Sequence, residues 1–272
     1  MNVKTLAVRT GGGLIYCLIV LIALLCGSEG ALVLAALLSA LACTELTRMS
    51  NGSVAGRLPA LLLDIAGCIC LCLGFMVYPI AIWVGVMICR MIEELYLKSD
   101  TPMRDLGVSM ISQVWIGVPM AIMVAVSYLL DSRLILAVFF LLWINDTAAF
   151  LSGSLFGRHK LFERISPKKT WEGFLGGLII TLAASAIFGV FCNDWFYLSA
   201  IGANVATWIG LGAVVVLFGT WGDLIESLMK RNLHTKDSGN LIPGHGGILD
   251  RIDSLLLALP AAAIYLFIIA VI

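Results

Sequence analysis

Apolar residues along this chain gather in long runs, separated by short polar segments. The runs stand near 11–28, 31–47, 59–78, 80–97, 107–130, 133–152, 172–192, 203–226 and 254–272, nine in all. A helix needs about 20 such residues to cross the hydrocarbon core of a bilayer. The pattern therefore predicts an all-α polytopic membrane protein with about nine transmembrane helices. The fourth run is the weakest, because Arg90, Glu93 and Glu94 interrupt its end. The first stretch, "MNVKTLAVRTGGGLIYCLIVLIALLCG", has the outline of a signal peptide. With so many spans downstream it reads as the first anchor.

The polar segments orient these spans. Nine spans with the N-terminus in the cytoplasm put residues 1–10, 48–58, 90–106, 153–171 and 227–253 on the inner side. Those segments hold 16 of the 17 Lys and Arg residues, and only Arg133 falls outside them. A bias of that size supports both the count and a cytoplasmic N-terminus. The longest polar stretch, 227–253, then faces the cytoplasm.

Composition agrees. Hydrophobic residues make up 61% of the 272 and charged residues 12%, so lipid must cover part of the surface. Net charge is zero and says nothing about partners. No soluble domain, linker or internal repeat is visible, so 1–272 reads as a single integral-membrane domain. The eight cysteines, none in a CxxC pair, lie almost entirely in apolar runs. They read as small buried apolar residues rather than as metal ligands or disulfides.

The candidate chemistry is concentrated in 141–177 and 220–254. In "TWGDLIESLMKR", Asp223, Ser227, Lys230 and Arg231 fall at i, i+4, i+7 and i+8 and share one helical face. An acid within a span faces a partner or a watery cavity. Asp223 is thus either one half of a salt bridge to Lys230 or Arg231, or a working carboxylate. In "KDSGNLIPGHGGILDRID", Pro243 and Gly244 break the chain, and Gly246 and Gly247 let backbone N–H groups approach a phosphate. A helix is predicted to begin near Gly247, with Asp250 and Asp253 on one face of its first turns. Dipole reasons alone favour acids there. They do not explain why Asp237, His245, Asp250 and Asp253 gather with Lys230, Arg231, Lys236 and Arg251. Carboxylates among cations suit a Mg²⁺–polyphosphate, the acids taking metal and the cations phosphate oxygens.

A second basic block, "RHKLFERISPKKTWEG", lies on the same side. Ser166 is predicted to cap a helix, with Pro167 at its first position and Lys168 and Lys169 in its first turn. Cations there oppose the helix dipole, so an anion should compensate. The competing reading is a basic loop touching anionic lipid. Asn145 and Asp146 end the sixth run, either satisfied against a neighbouring helix or contacting substrate or metal. Glu45 is expected to pair with Arg48, Asp64 is unassigned, and His159 and His234 read as solvated. The chain has no Walker-type loop, HExxH, GxSxG or zinc spacing.

The block "SLMKRNLHTKDSGNLIPGHGGILDRID" resembles the signature of the CDP-diacylglycerol synthases, or phosphatidate cytidylyltransferases. Its elements here are Ser227, Lys230–Arg231, Lys236–Asp237, His245–Gly246–Gly247, Asp250–Arg251 and Asp253, and none departs from the pattern. "NDTAAFLSGSLFGRHK" through "SPKKTWEG" and the nine-span layout are similar too. The resemblance implies that CTP and phosphatidic acid give CDP-diacylglycerol and pyrophosphate. It also implies Mg²⁺, with K⁺ as a candidate second cation, and a homodimer embedded in the bilayer. It assigns metal binding to Asp223 and Asp250. Lys230, Arg231, Lys236, Lys168, Lys169 and Arg251 would supply positive charge, Ser227 and the His245–Gly247 backbone would contact substrate, and Asp237 and Asp253 would bind metal or orient its ligands. No nucleic-acid partner is expected.

Other classes fit less well. A secondary transporter should place ionisable groups near the midplane and show paired repeats. A membrane prenyltransferase would need NDxxD, and "NDTAAF" lacks the second aspartate. A CTP-dependent lipid kinase is the nearest competitor, differing in which phosphorus is attacked.

Overall fold

A computed structural model describes residues 3–51, 57–74, 78–239 and 246–271. Among these residues the chain forms ten α-helices and one two-stranded antiparallel ribbon. Six helices are both long and apolar enough to cross a membrane: Ser28–Ser50, Pro102–Leu129, Ser132–Phe156, Trp171–Phe191, Val205–Asn232 and Leu249–Val271. The all-α membrane class predicted from the apolar runs is what is observed. Gly11–Leu25 and Leu58–Cys72 are apolar but shorter. The residues group into two compact units, Met1–Ala125 with Leu233–Arg251, and Val126–Asn232 with Ile252–Ile272.

The first unit contains α1 (Val3–Leu25), α2 (Ser28–Asn51), α3 (Leu58–Cys72), α4 (Pro79–Glu94) and α5 (Pro102–Ile111). A π-helical stretch, Ser112–Gly117, joins α5 to α6 (Val118–Leu129). Proline opens α3, α4 and α5 within their first two positions, where its missing N–H costs nothing. Gly27, in the left-handed region at φ 81°, turns the chain between α1 and α2. The charges that weaken the fourth run point inward. Arg90 is 1% exposed, donating to Glu94 Oε2 at 2.8 Å and to Ser109 Oγ at 2.9 Å. Ser109 in turn donates to Asp64 Oδ2 at 2.9 Å, so α3, α4 and α5 share one buried polar network. Asp64, unassigned from sequence, is part of that network.

The second unit contains α7 (Ser132–Phe156), β1 (Lys160–Phe162), β2 (Ser166–Thr170), α8 (Trp171–Phe191), α9 (Val205–Asn232) and most of α10 (Leu249–Val271). Asp131 caps α7 by accepting from Arg133 N at 2.8 Å. Small residues bring α7 and α8 together. A Cβ on Gly173 would meet Ala149 O at 2.9 Å, and one on Gly177 would meet Asn145 Oδ1 at 2.7 Å. Close helix contact through small residues is how membrane helices gain packing without a hydrophobic drive. Trp208 packs edge to face with Phe188 and with Phe196 beside the connection between α8 and α9.

The expected helix start at Ser166 is overturned. Ser166–Thr170 is a strand, paired through Lys160↔Thr170 and Phe162↔Ser166. Pro167 biases Ser166 toward extended backbone, and in a two-stranded ribbon every strand is an edge that tolerates proline. The cap is Thr170, whose Oγ accepts from Gly173 N at 3.2 Å. Lys168 and Lys169 thereby escape a first turn where the helix dipole would oppose them.

Candidate active site

The second unit assembles an acidic centre from α9 and α10. Carboxylate oxygens of Asp223, Glu226 and Asp253 lie within 4.8 Å of one another. Asp223 and Glu226 are three apart and share a helix face. Gly222 lets α10 come close enough to complete the set, because a Cβ there would sit 2.5 Å from Asp253 O. Cations flank the acids. Lys169 pairs with Asp223, and Lys230 with the buried Glu226. Ser227 Oγ donates to Asp223 Oδ1 at 3.2 Å. Arg231 Nε donates to Ile165 O at 3.3 Å, tying the end of α9 to the ribbon. Asp223 is therefore not paired with Lys230 or Arg231, the bridge its helical face offered. Its cation comes from another element.

A cavity of about 410 Å³ opens beside this centre. Asn145 and Asp146 of α7, Lys168, Lys169 and Thr170 of β2, and Asp223 of α9 line it. Asn145 is buried and Asp146 exposed. Lys168 and Lys169 thus border the same space as three acidic or amide side chains. With Asp146, the centre and its cavity hold four carboxylates against Lys168, Lys169 and Lys230, an acidic excess of one in a partly buried place. Hard oxygen donors of this kind suit a divalent cation such as Mg²⁺, and the bordering lysines suit anionic oxygens.

The first unit holds the remaining signature residues described. Asp250 Oδ2 accepts from Ser238 N at 3.0 Å, Ser238 Oγ at 2.9 Å and Gly247 N at 2.8 Å. Gly246 sits at φ 80°, a left-handed position that glycine adopts without strain. Helix α10 begins at Leu249, two residues beyond the predicted start at Gly247. Lys236, Asp237 and Arg251 are exposed. His245 lies outside the described residues. Asp223 and Asp250 belong to different units.

Glu45 was misread in the sequence and Glu226 was missed. Glu45 does not turn to Arg48, which is exposed. Its buried carboxylate accepts from Ile248 N at 2.9 Å, Leu249 N at 2.8 Å and Ser238 Oγ at 3.0 Å. His159 is exposed, as expected, and its Nδ1 also bonds Glu172 Oε1 at 2.6 Å. Glu226 drew no notice, although its spacing of three from Asp223 was a readable signal.

The model of the cytidylyltransferase family matches residues 7–269. This chain belongs to that family. The phosphatidate cytidylyltransferase of Staphylococcus saprophyticus is 45% identical over 134 residues, 48% of this chain and 48% of that protein. That of Haemophilus influenzae is 45% identical over 135 residues, 49% of this chain and 46% of its own length. That of Staphylococcus haemolyticus is 44% identical over 134 residues, 48% of each. The chain spans about half the length of the curated relatives it matches. Within the cytidylyltransferase family match fall all three acids of the centre and both lysines of β2.

Proposed function

We propose that this protein transfers the cytidylyl group of CTP to phosphatidic acid, giving CDP-diacylglycerol and pyrophosphate. The observation that carries the reading is the acidic trio of Asp223, Glu226 and Asp253 beside a cavity bordered by Lys168 and Lys169. The relatives named phosphatidate cytidylyltransferase agree with it.

The chemistry asks little of a general base. The phosphate of the lipid is already anionic near neutral pH, and one of its oxygens attacks the α-phosphorus of CTP. The α–β phosphoanhydride bond breaks and pyrophosphate leaves with the electron pair. The obstacle is the approach of two anions, so positioning and charge neutralisation supply most of the catalysis. Lys168 and Lys169 offer fixed positive charge to phosphate oxygens at the cavity wall. Asp223, Glu226 and Asp253 would hold Mg²⁺, which when bound would offset the triphosphate's charge. Ser227 and Lys169 fix the direction of Asp223 through its two oxygens.

The same proposal includes nine spans with a cytoplasmic N-terminus. Each of the nine apolar runs is helical over most of its described length, the fifth as α5, the π-helical stretch and α6, and the Lys and Arg residues distribute with that orientation. A lipid substrate then fits the setting, since its headgroup lies at the interface while its chains remain in the bilayer.

The test is direct. The purified protein is mixed with Mg²⁺, phosphatidic acid and CTP labelled at the α- or the γ-phosphorus. Label from the α position should enter the lipid, with pyrophosphate released. Entry of γ label with release of CDP would reject the reading in favour of a CTP-dependent lipid kinase.

A further inference from the structure

Glu45 lies in α2, 203 positions before Ile248 in the signature segment. Nothing in the acidic centre uses it. Yet it is only 4% exposed, and all three of its recorded partners belong to the signature segment. Two are backbone N–H groups at the start of α10, Ile248 through Oε1 and Leu249 through Oε2. The first N–H groups of a helix have no partner within it, and a carboxylate there meets both the orphan donors and the positive end of the dipole. The third partner is the Ser238 hydroxyl, 3.0 Å from Glu45 Oε2 and 2.9 Å from Asp250 Oδ2. One hydroxyl proton thus lies between two carboxylates. The packing leaves no slack, because a Cβ on Gly247 would lie 2.1 Å from Ser238 Oγ and 2.3 Å from Glu45 Oε2.

We propose that Glu45 is a positioning residue for the segment that carries Asp250. It holds the backbone at Ile248 and Leu249 from one side and Ser238 from the other. Ser238, through its N–H and its hydroxyl, then sets the direction of the Asp250 carboxylate. This rests on the proposed cytidylyl transfer from CTP, together with the metal-binding role that the family resemblance implies for Asp250. A bland helix cap would need only the two backbone bonds. The bond to Ser238, which also reaches Asp250, is what a cap does not require.

Two measurements on the full-length protein in lipid nanodiscs test this: amide hydrogen exchange across 238–251, and equilibrium binding of Mg²⁺–CTP. In Glu45→Ala the Ile248 and Leu249 amides should lose protection, and CTP should bind roughly 10- to 100-fold more weakly, the usual cost of removing a group that orients a working side chain. Ser238→Ala should weaken CTP binding in the same direction while leaving those two amides protected. Glu45→Gln keeps the volume and one acceptor oxygen, so its loss should be intermediate. It also carries the test if the alanine variant does not fold. Unchanged CTP affinity in a variant whose amides have opened would reduce Glu45 to a cap and overturn the proposal, as would amides that stay closed. A wild-type protein that fails to bind CTP would instead strike down the functional reading itself.

Discussion

At the scale of single residues, the centre depends on how its carboxylates are held, Asp223 both from within α9 and from outside it. Asp223 is oriented by Lys169 from β2 and by Ser227 one turn away. Asp223→Asn keeps the size and the bond to Ser227 but removes the charge that pairs with Lys169. We expect kcat/KM for cytidylyl transfer to fall roughly 10²–10³-fold, the range seen when one preorganised electrostatic group is lost. Circular dichroism should stay at the wild-type level, because the residue is only half-buried. Activity within a few-fold of wild type would remove Asp223 from the site. The sequence made Asp223 and Asp253 legible, because an acid at the end of an apolar run is conspicuous. It misled on partners. Intrahelical spacing offered Lys230 for Asp223 and Arg48 for Glu45, but both acids turned to groups distant in the chain. Spacing shows which residues share a face, whereas the choice among partners is made by packing that one-dimensional periods do not contain.

At the scale of elements, the site exists because two helices approach at a glycine. A Cβ on Gly222 would meet a backbone carbonyl, Asp253 O at 2.5 Å, with Ser254 Cα at 3.2 Å. Backbone cannot swing away as a flexible side chain does, so α9 and α10 must separate. For Gly222→Ala we expect a stability loss of about 1–3 kcal/mol, typical of overpacking, and a larger proportional loss of activity. The centre needs Asp253 near Asp223 and Glu226, while helicity itself does not. Thermal unfolding in detergent set beside kcat would separate the two effects, and unaltered turnover would mean that the close approach is dispensable. Helices were the readable elements, since each apolar run is helical over most of its described length. The ribbon was not. "SPKKT" carries a good cap and a proline, and both signals also fit a helix start. Pairing with Lys160–Phe162 decided for the strand, and pairing is a tertiary fact.

At the scale of the whole molecule, the question is whether all nine apolar runs are spans, since six helices among the described residues are long and apolar enough unaided. α3 has 15 residues and α4 has 16. At about 1.5 Å per residue each covers about 22–24 Å, less than the roughly 30 Å hydrocarbon core. If neither crossed, the residues between them would stay on the side of α2's C-terminal end. If both cross, those residues lie on the opposite face. Two observations favour crossing. Arg90, Glu94 and Asp64 are buried against one another and Ser109, so the charges of α4 are not offered to lipid. The Lys and Arg residues also distribute as nine spans require. Tyr78, 75% exposed just before α4, reports the answer. In a background with the eight native cysteines replaced, Tyr78→Cys should react with a membrane-impermeant maleimide from the same side as Asp194→Cys, and Lys98→Cys from the side of Arg158→Cys. Short helices can serve as spans where the bilayer thins or flanking side chains reach the interface, at a modest cost per ångström of mismatch. Labelling of Tyr78→Cys together with Lys98→Cys would mean instead that α3 and α4 dip in and return. The inward-facing Arg90 network would then be holding a re-entrant pair rather than two crossings.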